Sequence, residues 1–292
     1  MPAGLAVHGR DPQAAAVSGA GQPPGNAAPP PPSAPRAPAW RVALSLFTVI
    51  PAGVGDSLDE GAAVRAVFWL PVLGAGLGLA GSAVMVFVAA GDLSPERQLL
   101  GATLAVALIA VATGGLHLDG LADTADGLGS RRPADQALEI MRRSDAGPFG
   151  VGTLVLVLLV QVSALASAPH GWAGASGLVL AAVTSRVAVV LATGSPSARR
   201  SGFGALVAGR TSAAGRVASV AVLLAAVAGG GLALGGVVAA ARGLLAVVAG
   251  LAVAALLRLA ARRRLGGMTG DVFGAVIELS TATVLLVLVL AS

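Results

Sequence analysis

The chain has no cysteine and no lysine, and charged residues make up only 11% of its 292 positions. Without cysteine, disulfides, thiolate nucleophiles and thiolate-ligated zinc are excluded. Without lysine there is neither a Schiff base nor a standard P-loop, whose lysine reaches the β/γ-phosphates. All 19 basic side chains are therefore arginine. In place of charge the chain has apolar surface, 55% hydrophobic residues with a mean hydropathy of +0.84. Several runs reach the roughly 20 residues that a helix needs to cross a bilayer. The composition thus predicts an all-α protein, a polytopic helical bundle in a lipid bilayer. The formal charge of +5 follows from arginines placed at the membrane's edge, so no nucleic-acid partner is expected.

Residues 1–39 are rich in proline, alanine and glycine, including Pro29–Pro32. They lack the apolar stretch of a signal peptide and read as a disordered cytoplasmic tail. Residues 40–292 form the membrane domain. Trp40–Pro51 is too short to span, and either lies in the interface or re-enters. Apolar runs predict seven spans, at about 64–90, 99–115, 150–168, 174–193, 217–239, 244–261 and 272–291. Pro71 and the glycines after it predict a kink or a late start in the first. With the tail in the cytoplasm, the loops 116–149, 194–216 and 262–271 fall inside and carry most loop arginines. Only Arg97 and Arg242 fall outside. This satisfies the positive-inside rule and predicts a site facing the cytoplasm.

The stretch Gly114–Gly129, GGLHLDGLADTADGLG, sets Asp119, Asp123 and Asp126 at i, i+4 and i+7. On a helix they lie within about 60° of one another. Carboxylates that close repel one another unless a cation sits among them, and Mg²⁺ takes oxygen ligands. The alternative is a solvated loop helix with acids on its wet face. Glycine and alanine between the acids favour close approach of a ligand or a second helix, and ionisable groups at membrane borders are commonly functional. His117, two residues earlier, suits a general base, a metal ligand or a donor to phosphate, or simply a helix-start residue.

Three further segments carry charge. In Leu138–Gly150, Glu139 pairs at i+3 and i+4 with Arg142 and Arg143. The segment is either a charged interfacial helix or a guanidinium clamp for phosphate. In Arg264–Glu278, Asp271 and Glu278 share a face at the start of the last span. Gly267, Thr269 and Gly270 before them suit a nest of backbone N–H groups that holds an anion. Arg186 or Arg258 could pair with these acids instead, which leaves a buried ion pair as the structural alternative. Ala198–Gly209, ARRSGFGALVAG, fits an anion-binding loop or plain arginine anchoring.

These segments resemble the cobalamin synthase, or adenosylcobinamide-GDP ribazoletransferase, family. The likeness is carried by GGLHLDGLADTADG at 114–127, LEIMR at 138–142, GPFG at 147–150 and GGMTGDVFGA at 266–275, with FTVIP at 47–51. They occur in the family's order from about residue 40 to the end. The chain departs at Val49, where the family often has arginine. It departs again at Arg143-Ser144-Asp145, where acid and base are exchanged relative to the family pattern. The resemblance implies a Mg²⁺-dependent transferase of a bacterial inner membrane. It would join adenosylcobinamide-GDP to α-ribazole, or its 5′-phosphate, and release GMP. It further implies that Asp119, Asp123 and Asp126 hold Mg²⁺ on the pyrophosphate. Asp271 completes the metal site or accepts the hydroxyl proton, with His117 as the competing base. Arg142 steadies the leaving phosphate, with Arg143 as second candidate. A homo-oligomer is left open.

Two other readings compete. A CDP-alcohol phosphotransferase would carry Asp-Gly followed by an Ala-Arg pair and a later aspartate pattern. This chain has Asp119-Gly120 and neither of the others. A cation transporter would place its acids in the middle of spans, whereas these acids gather at one face with the arginines.

Overall fold

The computed structural model describes residues 37–54, 60–143, 145–168 and 171–292. The expected tail lies almost wholly outside them, as does Ser144. The described residues form helices α1 (Ala39–Phe47), α2 (Glu60–Val67), α3 (Leu70–Val88), α4 (Pro95–Ala112), α5 (Leu116–Gly129) and α6 (Ala134–Ile140). These are followed by α7 (Pro148–Ala166), α8 (Gly171–Ala192), α9 (Phe203–Val207), α10 (Ala213–Arg264) and α11 (Gly270–Leu290). Six of them are long and apolar enough to cross a membrane: α3, α4, α7, α8, α10 and α11.

Helix α10 has 52 residues, which as a straight rod would run about 78 Å, more than twice a bilayer's hydrocarbon core. It breaks at Gly236, where φ is 71° and ψ −165°. The two limbs then fold back on each other. A Cβ on Gly231 would fall 2.5 Å from the Ala240 backbone, and one on Gly243 would meet Val227. Each limb is long enough to cross, so the described residues hold seven segments of spanning length. The expected outer loop at 240–243 is corrected: the reversal comes at Gly236, and Arg242 is helical. The first span starts at Leu70, after the separate helix α2. Pro71 sits in the first turn of α3, where its missing N–H leaves no partner unsatisfied and kinks nothing.

Burial separates the inner helices from the lipid-facing ones. In α8 and α11, 72% and 67% of the most apolar stretch is buried, against 17–33% in the other four. Small residues let the helices meet. Gly74 and Gly78 of α3 lie against the backbone of α8, and the Ser82 hydroxyl donates to the carbonyls of Gly78 and Ala175, each at 2.7 Å. Leu79, Phe87, Leu104, Leu156 and Leu256 point outward, as they must where the solvent is hydrocarbon.

Helices α1, α2, α5, α6 and α9 cluster at one end of the bundle. The Val49 amide donates to the Ala112 carbonyl at 2.9 Å, Glu60 pairs with Arg210, and Phe47 meets Phe203. The segment Trp40–Pro51 does not cross; it folds as α1 followed by a bend at residues 48–50 against this end.

Candidate active site

The site begins at the crossing of α5 and α11. A Cβ on Gly120 would lie 2.7 Å from the Asp271 carbonyl oxygen, and one on Gly274 would lie 3.1 Å from that of His117. Glycine on both helices therefore lets the backbones touch and sets Asp119 and Asp123 beside Asp271. The small spacers between the acids serve the close approach of a second helix.

Asp271 is fixed by its neighbours. Thr269 caps α11 by accepting from the Val272 amide at 3.2 Å, and its hydroxyl lies 3.2 Å from Asp271 Oδ2. Arg199 Nη1 is 3.0 Å from the same oxygen. The arginine comes from the 193–202 loop, which is tied to the loop before α11. The Ala198 amide donates to Met268 O at 2.9 Å, and the Met268 amide to Pro196 O at 2.8 Å. Gly267 lies where a Cβ would strike Pro196. It serves this pairing, while Thr269 and Gly270 face the open space beyond it.

That space is a cavity of about 290 Å³, at the small end of the ~300–1,000 Å³ typical of ligand pockets. Its polar wall carries Asp119, Asp271, Thr269 and Arg199, and His117 lines it as well. Its apolar wall holds three phenylalanines in edge-to-face contact. The Phe47 and Phe203 ring centres are 5.0 Å apart, and those of Phe203 and Phe273 are 6.3 Å apart.

Electrostatics mark the acids as a unit. The Asp123 carboxyl is pushed up to about 7, by burial first and then by Asp119 and Asp271; Arg199 opposes this, and Asp126 adds a little. Such repulsion is what a divalent cation relieves. Among the described residues, no three acidic or imidazole side chains are gathered tightly enough to hold a metal by themselves. Mg²⁺ is usually held by one or two carboxylates together with substrate phosphates. Asp119 and Asp123, with Asp271 near them, fit that donor set.

Asp126 is committed elsewhere. Its carboxylate accepts from the amides of Gly147 at 2.6 Å and Gly150 at 2.9 Å, and so satisfies the first turn of α7. Although its position on the helix face is as the spacing predicts, its charge serves a helix terminus. Arg142 and Arg143 are not brought to the cavity either. Arg142 is exposed and pairs with Glu139 at 3.5 Å, and the arginine that reaches the acids is Arg199. Its segment had two equal readings in the sequence, because nothing local shows that it pairs with the loop before α11.

His117 is 4% exposed, and neither ring nitrogen has a hydrogen-bond partner. Burial, and secondarily the charge of Arg186, lowers it to about 3, so the imidazole is neutral. Glu278 lies deeper. It accepts from Gln161 Nε2 at 2.8 Å, and its Oε1 is 4.0 Å from His117 Nδ1. It therefore belongs to a buried polar cluster with Gln161 and Arg186.

The fold and site define a polytopic helical membrane protein with an acidic, arginine-bearing pocket at one end of the bundle. Comparison with known proteins places it more closely. The chain belongs to the cobalamin-5-phosphate synthase family, which matches residues 39–289. It is similar to an adenosylcobinamide-GDP ribazoletransferase of Frankia casuarinae, 42% identical over 85% of this chain and 93% of the relative. Those of Bradyrhizobium diazoefficiens and a Nocardioides species are 39% and 37% identical, again over 85% of this chain and over 91% and 96% of theirs. No solved structure matches the chain.

Proposed function

We propose that the protein joins adenosylcobinamide-GDP to α-ribazole, or its 5′-phosphate, in the assembly of cobalamin, with GMP as the leaving group. Family membership identifies the reaction. The observation that carries the assignment of the site is the convergence of Asp119, Asp271 and Arg199 on one cavity, with Asp123 behind them and close enough to feel the charge of all three. Phosphoryl-type transfer needs little covalent help from a protein; it needs positioning and charge neutralisation.

A ribazole hydroxyl attacks the phosphorus that carries the cobinamide side chain. The new P–O bond forms as the bond to the bridging oxygen breaks, and that oxygen leaves with GMP. Asp119 and Asp123 would hold Mg²⁺, which would supply charge neutralisation on the pyrophosphate. Arg199, anchored on Asp271, presents its guanidinium where phosphate oxygens gather. Arg199 and Thr269 both engage Oδ2 of Asp271, which leaves Oδ1 to accept the hydroxyl proton. His117, with its basicity suppressed by burial, acts as a neutral hydrogen-bonding wall.

The pocket faces the cytoplasm of a bacterial inner membrane in this reading. In support, Arg131, Arg132, Arg142, Arg143, Arg200 and the run Arg262–Arg264 lie at the site's end of the bundle. The reading is tested by GMP release from protein in nanodiscs given both substrates, with Mg²⁺ present or chelated. Mg²⁺-dependent GMP together with cobalamin is expected. Equal release with chelator would remove the metal, and no release from folded protein would remove the reaction.

A further inference from the structure

The two walls of the cavity differ in chemistry, and the difference assigns a substrate part to each. The chain has only six phenylalanines and no tyrosine. Three of the six, Phe47, Phe203 and Phe273, line this one cavity. They come from three elements far apart in sequence (α1, α9 and α11), and Leu46, Val189 and Ile277 extend the same wall. Among the described residues no asparagine or glutamine side chain lines the cavity. Its carboxylates and arginine stand together on the other wall.

We infer that the apolar wall is the binding site for the heteroaromatic base of the acceptor nucleoside, with the ribose toward Asp119 and Asp271. This rests on the transfer reaction proposed above and says which substrate enters where. A base without exocyclic donors or acceptors loses little by facing phenylalanine, and ring–ring contact favours it. Guanine, the other base in the reaction, carries N–H groups and a carbonyl on its pairing edge. Buried against these side chains they would be unpartnered, at a large penalty. The corrinoid is several times too large for about 290 Å³, whereas a nucleoside is of that order. The geometry also serves the chemistry. A base seated on the phenylalanines holds its ribose beside the acids, so that the attacking hydroxyl is positioned before the phosphates arrive.

Phe203 is the residue to change, because it is only half-buried and stands on a five-residue helix outside the spans. The measurement is steady-state GMP release in nanodiscs, varying α-ribazole and adenosylcobinamide-GDP in turn. Phe203→Ala is expected to raise KM for α-ribazole about tenfold and to leave KM for adenosylcobinamide-GDP within about twofold. Phe203→Leu keeps the apolar volume and should lie between Phe203→Ala and wild type. A rise confined to adenosylcobinamide-GDP would assign the wall to the leaving nucleotide, and unchanged constants would remove it from binding; either overturns the inference. If Phe203→Ala is inactive, Phe203→Leu decides by the same split, and an equal rise in both constants counts against the subsite. Wild-type protein that releases no GMP would refute the proposed reaction instead. The subsite would then be judged by calorimetry of α-ribazole binding, wild type against Phe203→Leu, with equal affinities overturning it.

Discussion

Asp123 and Asp126 lie one helical turn apart and should respond to mutation in opposite ways. Asp126 accepts two amide hydrogen bonds from the start of α7. Asp126→Asn halves the acceptor capacity and removes the charge, which should destabilise the fold by about 1–3 kcal/mol. Thermal unfolding in detergent checks this, and the Mg²⁺ concentration for half-maximal turnover should not move. Asp123 has the reverse profile. Asp123→Asn should leave the protein inserted and folded while turnover falls on the order of a hundredfold or more; near-normal turnover would remove it from the site. A pH signature belongs to the same residue. Its folded carboxyl is raised from 3.8 to about 7, so the folded state keeps a proton that the unfolded chain has already released. The associated stability is complete below about pH 4 and is lost as pH rises through 7. In chelator, the unfolding temperature of wild type should therefore fall more steeply between pH 5 and 8 than that of Asp123→Asn, and Mg²⁺ should flatten the difference. Helical spacing was enough to place all three aspartates on one face. It could not show that one would be taken by amides 21 and 24 residues further on, because that partnership exists only once α7 has docked.

At the scale of elements, glycine decides what meets. Gly120 and Gly274 allow α5 and α11 to touch, and the acids converge only because they do. Gly120→Val should push the helices apart by more than a methyl group can be absorbed. Turnover should be lost while protease protection of the spans is retained. If turnover survives, the crossing is not what assembles the site. The spans themselves were legible from hydropathy, since a run of apolar residues has no other stable home than hydrocarbon or core. The two limbs of the hairpin in α10 were legible in the same way, as the runs 217–239 and 244–261, but its turning point was not. Both sides of Gly236 read as helix, and its positive φ is a property of the turn that one glycine among the 41 in the chain does not announce. Arg199 was hidden for a related reason. The parallel bridge between Ser197 and Met268 that carries it to Asp271 joins segments about 70 residues apart, and neither has a strand pattern.

Taken as a whole molecule, the bundle has two unlike ends. The site's end gathers the short helices, the aspartates of the pocket and, among the described residues, most of the arginines. The far end has the α3–α4 turn, where Arg97 pairs with Asp92 at 3.2 Å, and the reversal at Gly236. Such asymmetry supports the orientation proposed above, because arginine-rich loops are retained in the cytoplasm. In that orientation the proposed site would receive a soluble nucleoside and release GMP directly to the cytoplasm. The absence of cysteine makes this orientation testable without first removing native thiols. Leu93→Cys marks the far end and Arg200→Cys the site's end, both at exposed positions. In intact spheroplasts a membrane-impermeant maleimide should label Leu93→Cys, and should reach Arg200→Cys only after permeabilisation. The reverse pattern would turn the bundle over and put the pocket outside. The arginine asymmetry would then have to be explained by the substrate's phosphates alone.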